Sequence, residues 1–201
     1  MSAAQSRAYP QTTLMGLPTE LQAEILSHVV GVEGAIRDFK GFGTAFEVFT
    51  DPGFKTVEDP ISPLRGIPLL SKLAEEEFWR ANTFRKSLSH IRSECSFQNP
   101  HRTNIRNVVI NINLCIGFPE RNASNKHYIR QRLMHHLWDM PKHYPKLQSI
   151  TLDISLTSAC KEQEELEPHN SSALLRRQIL ADTMQALGGL KEVRKRYVKI
   201  R

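Results

Sequence analysis

Two stretches in the second half of the chain, NIRNVVININL and QSITLDISL, restrict the fold more than any other feature. In the first, Val108, Ile110, Ile112 and Leu114 alternate with Asn111 and Asn113; in the second, Ile150, Leu152, Ile154 and Leu156 alternate with Ser149, Thr151, Asp153 and Ser155. Successive side chains of a strand point to opposite faces, so each stretch is a strand with one apolar and one polar face. Between them, YIRQRLMHHLWDM carries Ile129, Leu133, Met134, Leu137 and Trp138 at helical spacing and is expected to stop at Pro141. After the second strand, SSALLRRQILADTMQALGG repeats that spacing with Leu174, Leu175, Ile179, Leu180 and Leu187, ending on Gly188 and Gly189 as a C-cap. VRKRYVKI then reads as a last strand.

Strand, helix, strand, helix, strand in that order implies parallel pairing through right-handed crossovers. A parallel sheet covered on both faces has strands that are apolar throughout, whereas these are apolar on one face only. The expected fold is therefore α+β or α/β, with helices on one face of the sheet and the other face open and polar. This β-α-β-α-β unit resembles a minimal leucine-rich-repeat-like arc, with at most two loose units and no fixed period.

The first half is less regular. Residues 1–13 are small and polar and read as a disordered leader. From Leu17, the positions Leu21, Ile25, Leu26 and Val29 recur at three and four residues, and Pro18 stands where its missing N–H costs nothing; this is an amphipathic helix. Residues 31–63 interleave glycines and prolines with Phe39, Phe42, Phe46, Phe49 and Phe54, and read as a long loop pinned by aromatics. GFGTAF within it fails as a phosphate loop, lacking the third glycine and a preceding strand. IPLLSKLAEEEFWRANTF reads as a helix with Leu69, Leu70, Leu73 and Phe78 on one side and Glu75, Glu76 and Glu77 on a solvated face, passing into a short strand over 82–88.

Composition removes several classes. Hydrophobic residues make up 40% and charged residues 24%, as in ordinary globular chains. No apolar run approaches the length of a membrane span, and the N-terminus has no apolar core of a signal peptide. Cys95, Cys115 and Cys160 are widely spaced without a Cys-x-x-Cys, which suits reduced thiols in the cytoplasm or nucleus and makes the sequons at Asn122 and Asn170 chance matches. The net charge of +6 is concentrated at the end, in Lys191, Arg194, Lys195, Arg196, Lys199 and Arg201. Such a basic tail suits nucleic acid, an acidic protein or plain solvation.

Three of these pieces carry a family resemblance. LMGLPTELQAEILSHVV resembles the opening helix of the F-box, whose pattern is Leu-Pro-x-Glu-Leu/Ile followed by Ile and Leu one turn on. IPLLSKLAEEEFWRANTF is similar to the stretch that follows in many fungal F-box-like proteins, and YPKLQSITLDIS looks like their aromatic-Pro-x-Leu lead into a strand. The resemblance covers Leu14 to Leu88 and extends to the rest only in style. It implies an F-box-like module over 14–90, with an insertion at 31–63, and a strand-helix repeat domain over 91–201. Two departures stand out: the insertion separates the first two helices, and the family's tryptophan-containing third helix is represented only by Phe78 and Trp79.

The resemblance implies docking on a Skp-type adaptor of a cullin ubiquitin ligase, with Leu17, Pro18, Leu21, Ile25 and Leu26 as apolar anchors and Glu20 as a polar neighbour. An amphipathic helix gains affinity by laying such anchors into a groove, although the same pattern also serves a helix facing its own core. A protein substrate would then lie on the open polar face, where Asn111, Asn113, Thr151 and Asp153 are the candidate contacts.

A search for catalysis yields no Gly-x-Ser-x-Gly, no Walker loop and no His-Glu-x-x-His, so no enzyme, cofactor or metal is expected. His135, Asp139 and His143 have ligand-like spacing, but Pro141 is expected to break the helix before the third. The polar loop KEQEELEPHNSS carries no catalytic pattern. Two other readings stand beside the adaptor: a basic nucleic-acid or acidic-protein binder acting through the C-terminal tail, and a scaffold whose F-box has decayed.

Overall fold

The two alternating stretches form neighbouring strands of ten residues each, paired in parallel from Asn107 opposite Ser149 to Ile116 opposite Ser158. The computed structural model describes residues 13–37, 39, 41–51, 53–87, 103–116, 133–158, 169–191 and 193–200. Among these are seven strands: β1 (Ala35–Arg37), β2 (Phe46–Thr50), β3 (Gly53–Val57), β4 (Thr83–Ser87), β5 (Asn107–Ile116), β6 (Ser149–Ser158) and β7 (Lys195–Ile200). Four α-helices accompany them: α1 (Thr19–Val30), α2 (Pro68–Ala81), α3 (Met134–His143) and α4 (His169–Gly188). The fold is mixed α and β around a mostly parallel sheet.

All seven strands belong to one sheet in the order β3-β2-β1-β4-β5-β6-β7. From β1 through β4 to β7 every pair is parallel, while β1, β2 and β3 form an antiparallel meander. Each step from β4 to β7 moves one place in the same direction. Crossovers of one hand taken in one direction all fall on the same face of a sheet. Packing agrees: Ile36, Phe84, Val108, Ile110, Ile112, Ile150, Leu152 and Ile154 share a single hydrophobic cluster with Leu26 of α1, Phe78 and Trp79 of α2, Leu137 of α3 and Ile179 and Leu187 of α4. β4 pairs with β5 along its whole length, so strands from either side of residue 90 share one sheet.

The segment 31–63 is not the long loop that its composition suggests. It supplies β1, β2 and β3, and two devices order it. Phe39, Phe42 and Phe46 meet Phe78 of α2 with ring centroids 5.1–5.8 Å apart, so the aromatics do anchor the segment. The buried Asp59 carboxylate accepts hydrogen bonds from the backbone N–H of Gly43 (2.7 Å) and of Ile61 (2.9 Å) and from the Arg65 guanidinium (2.5 Å). The Gly43 N–H is thereby occupied and a strand follows rather than a helix, so GFGTAF has no phosphate-binding geometry. Gly34, at φ +113°, lets the chain enter β1 close to β2; a Cβ there would lie 2.4 Å from the Phe49 carbonyl oxygen.

Several helix positions depart from expectation. Leu69, Trp138, Leu174 and Leu180 are exposed, and Leu69, Trp138 and Leu180 each stand one residue beside a buried one, Leu70, Leu137 and Ile179. Glu77 is buried, not solvated, and forms an ion pair with Arg80 one turn on. Pro141 does not stop α3, which runs on to His143 and closes with the Tyr144 N–H on the Met140 carbonyl at 2.8 Å. Gly188 and Gly189 do not adopt the left-handed cap conformation. Instead Arg196 reaches back from β7 and donates to the Leu187 carbonyl at 3.0 Å, a cation on the negative end of α4. The leader at 1–12, Leu88, Ile129 and Cys95 lie outside the described residues.

Candidate functional site

α1 has two working faces. Leu26 and Val30 point into the core and are 1% and 0% exposed, whereas Leu21, Ile25 and Val29, spaced by four residues, are 45%, 41% and 53% exposed. That stripe continues to the exposed Pro18 at the helix N-cap, with the exposed Glu20 beside it and Leu17 half-buried. The side-chain amide of Gln22 donates to the Leu17 carbonyl at 2.7 Å and fixes the lead-in residues against the first turn. Of the five expected apolar anchors, Leu26 is thus a core residue, and Val29, which the F-box pattern passes over, belongs with the outward stripe.

The orientation of this helix is set from its other end. Asn82, buried between the C-termini of α1 and α2, accepts from the Val32 N–H at 2.7 Å and donates to the carbonyls of Val30 and Phe78, both at 2.9 Å. One side chain therefore occupies terminal carbonyls of both helices, where partners inside the helix run out. Asn82 belongs to the ANTF motif, and its role comes from the structure alone.

Compared with family models, curated proteins and solved structures, the chain has no match.

The second feature lies on the polar face of the sheet. A cleft of about 440 Å³ opens there, its walls including Phe49, Thr83, Arg85, Thr151, Asp153 and Lys199. Strand parity explains the set: Arg85, Thr151 and Asp153 fall on the face opposite Phe84, Leu152 and Ile154. Arg85 reaches diagonally across β5 to Asp153 (3.0 Å), and its guanidinium lies 4.0 Å from the centroid of the Phe49 ring. Both side chains of the pair are at least nine-tenths buried, so the charges meet with little water between them. Phe49 in turn packs edge-on against Phe54, over which Arg37 sits at 5.0 Å.

Two of the four expected face contacts, Thr151 and Asp153, line this cleft. Asn111 stands opposite Asp153 on β5 with its Oδ1 buried and, among the described residues, without a hydrogen-bond partner; Asn113, two pairs further along, is exposed. Arg85 and Phe49 were not visible as candidates, the first because a five-residue strand carries little pattern, the second because its segment reads as loop.

The basic residues of the C-terminus do not form one patch. Lys195, Tyr197 and Lys199 share the polar face of β7, Arg196 turns to α4, and Lys191 and Arg194 sit in the turn before the strand. Arg201 lies outside the described residues. Asp139 pairs with Lys142 at 2.8 Å, His143 is exposed, and the side chain of His135 is not described. Among the described residues no group of three His, Cys, Asp or Glu is arranged to hold a metal, and no helix is long and apolar enough to cross a membrane.

Proposed function

We propose that this chain is an F-box-like interaction adaptor of the cytoplasm or nucleus, in which α1 docks on a Skp-type adaptor of a cullin ubiquitin ligase and the polar face holds a protein substrate. The observation that carries the reading is the outward stripe of α1. Three large aliphatic side chains one turn apart are held in water by a helix whose other face is already committed to the core, and a groove on a partner is the place where such side chains gain free energy. The anchors are Leu17, Pro18, Leu21, Ile25 and Val29, with Glu20 at the rim. The leucine-rich-repeat-like arrangement belongs to the same reading: one-way parallel strands leave a continuous polar face, and the cleft walled by Thr151 and the exposed Lys199, over the closed Arg85–Asp153 pair, is where a substrate finds both charge and depth. The chain acts by binding, without catalysis of its own.

The test is capture of a purified Skp-type adaptor by the purified chain, beside a Leu21→Asp, Ile25→Asp variant matched for circular dichroism. Capture lost in the variant supports the reading. Equal capture by both, or none by folded wild type, overturns it. A second reading, nucleic-acid binding, rests on Lys195, Tyr197 and Lys199 along one face of β7, where an aromatic ring is flanked by cations. Salt separates the two, since phosphate-driven affinity falls steeply with ionic strength and an apolar groove contact does not.

A further inference from the structure

The chain has two tryptophans, and they lie in opposite environments. Trp79 is fully buried, whereas Trp138 on α3 is 55% exposed, although its neighbours Leu137 and Met140 are core. Trp138 is nevertheless held in place. A Cβ on residue 189 would lie 2.7 Å from the Trp138 Nε1 and 3.4 Å from its Cδ1, so the pyrrole edge of the indole rests on the bare Cα of Gly189. The ring is a platform with an open surface, and a side chain at 189 would push its edge aside.

Beside that platform lies an open groove of about 640 Å³ lined by Trp138, Pro141 and Lys142 of α3 and by Gly189, Leu190 and Lys191 of the turn after α4. Its size is within the range of small-ligand and side-chain pockets, roughly 300–1,000 Å³. Both charged lining residues are lysines and both are exposed; the nearby Asp139 is not part of the wall and is engaged by Lys142. An aromatic surface with two ammonium groups in the same wall is complementary to an apolar group flanked by carboxylates.

We propose that this groove binds an acidic peptide segment, laying one aliphatic side chain on Trp138 while flanking carboxylates reach Lys142 and Lys191. Charge decides the occupant. A nucleic-acid strand gains its affinity from a run of phosphate contacts, and this groove offers only two lysines, one of them shared with Asp139. Lys195 and Lys199, which would extend such a run, project to the polar face of the sheet instead. The groove is separate from the α1 stripe and does not depend on the adaptor reading.

The exposed indole supplies the readout. The full chain is titrated with a synthetic EELEE peptide, a QQLQQ peptide and oligo-dT while tryptophan emission is followed, and binding is measured in parallel by polarisation of labelled EELEE. The expected result is a saturable change in emission with EELEE, affinity weaker by about tenfold for QQLQQ and for a Lys142→Glu, Lys191→Glu variant, and loss of the polarisation signal in Trp138→Ala. Gly189→Ala keeps both tryptophans but displaces the platform edge, so it weakens EELEE binding as well. The proposal is overturned by any of three results: no saturable response to EELEE from folded wild type, equal affinity for QQLQQ, or oligo-dT saturating the signal in place of the peptide. Trp138→Ala with native circular dichroism and undiminished EELEE binding overturns it too.

Discussion

Replacing Asn82 by alanine removes a side chain that ties α1 to α2 by hydrogen bonds at their C-termini. Three bonds disappear: from the Val32 N–H, and to the carbonyls of Val30 and Phe78. The Phe78 carbonyl keeps the backbone N–H of residue 82 at 3.3 Å, so the loss falls mainly on the Val32 N–H and the Val30 carbonyl. A buried polar group deprived of its partner costs about 1–3 kcal/mol; the Val32 N–H is only partly buried and falls at the low end of that range, which puts Asn82→Ala at about 2–4 kcal/mol. For a chain of this size each kcal/mol lowers Tm by about 2–4 °C, so the midpoint should fall by about 4–16 °C in a thermal melt followed by circular dichroism. Asn82→Asp makes the test sharper. Aspartate has nearly the same shape and still accepts from Val32, but it presents a carboxylate to two carbonyl oxygens that need donors; it should be at least as damaging as alanine. Asn82→Asp within about 0.5 kcal/mol of wild type would refute the hydrogen-bond account and leave shape as the cause.

Other consequences follow from the same geometry. Gly34→Ala forces a Cβ against the Phe49 carbonyl oxygen at positive φ, and should cost at least about 1–3 kcal/mol in denaturant unfolding. Arg85→Ala leaves the Asp153 carboxylate buried without its guanidinium and should destabilise by about 3–5 kcal/mol, whereas the paired change Arg85→Met, Asp153→Leu should cost much less, a difference that a double-mutant cycle reads directly. Asp59→Ala removes an acceptor shared by Gly43, Ile61 and Arg65, and hydrogen exchange should then rise first in the β1–β3 region.

What the sequence makes legible follows burial symmetry. β5 and β6 are ten residues long and buried on one face, so their alternation is unmistakable, and with it the polar placement of Thr151 and Asp153. α1 and α2 are visible from apolar spacing, but spacing does not rank neighbouring positions. Leu69 beside Leu70, and Trp138 beside Leu137, lie a step of about 100° apart on the helix, and which of each pair turns inward depends on the approach of the sheet. β1 has three residues and β2 and β3 five each, too short for any period to emerge. Their order comes from partners distant in sequence: β4 beside β1, Phe78 under the phenylalanines, and Asp59 gathering its three donors. Long-range contacts of this kind leave no local trace, which is why Arg85, Phe49 and Asn82 became visible only in three dimensions.

On the proposed reading α1 divides its labour, with Leu26 serving the core and Leu21, Ile25 and Val29 serving a partner. Calorimetric titration of a Skp-type adaptor into wild type, Leu21→Ala, Ile25→Ala, Val29→Ala and Leu26→Ala, each with its own melt, tests it most directly. The three outward variants should weaken binding by about tenfold each while leaving Tm nearly unchanged, and Leu26→Ala should lose about 2–5 kcal/mol of stability. Folded wild type that does not bind, or outward variants that bind as wild type does, would contradict the claim.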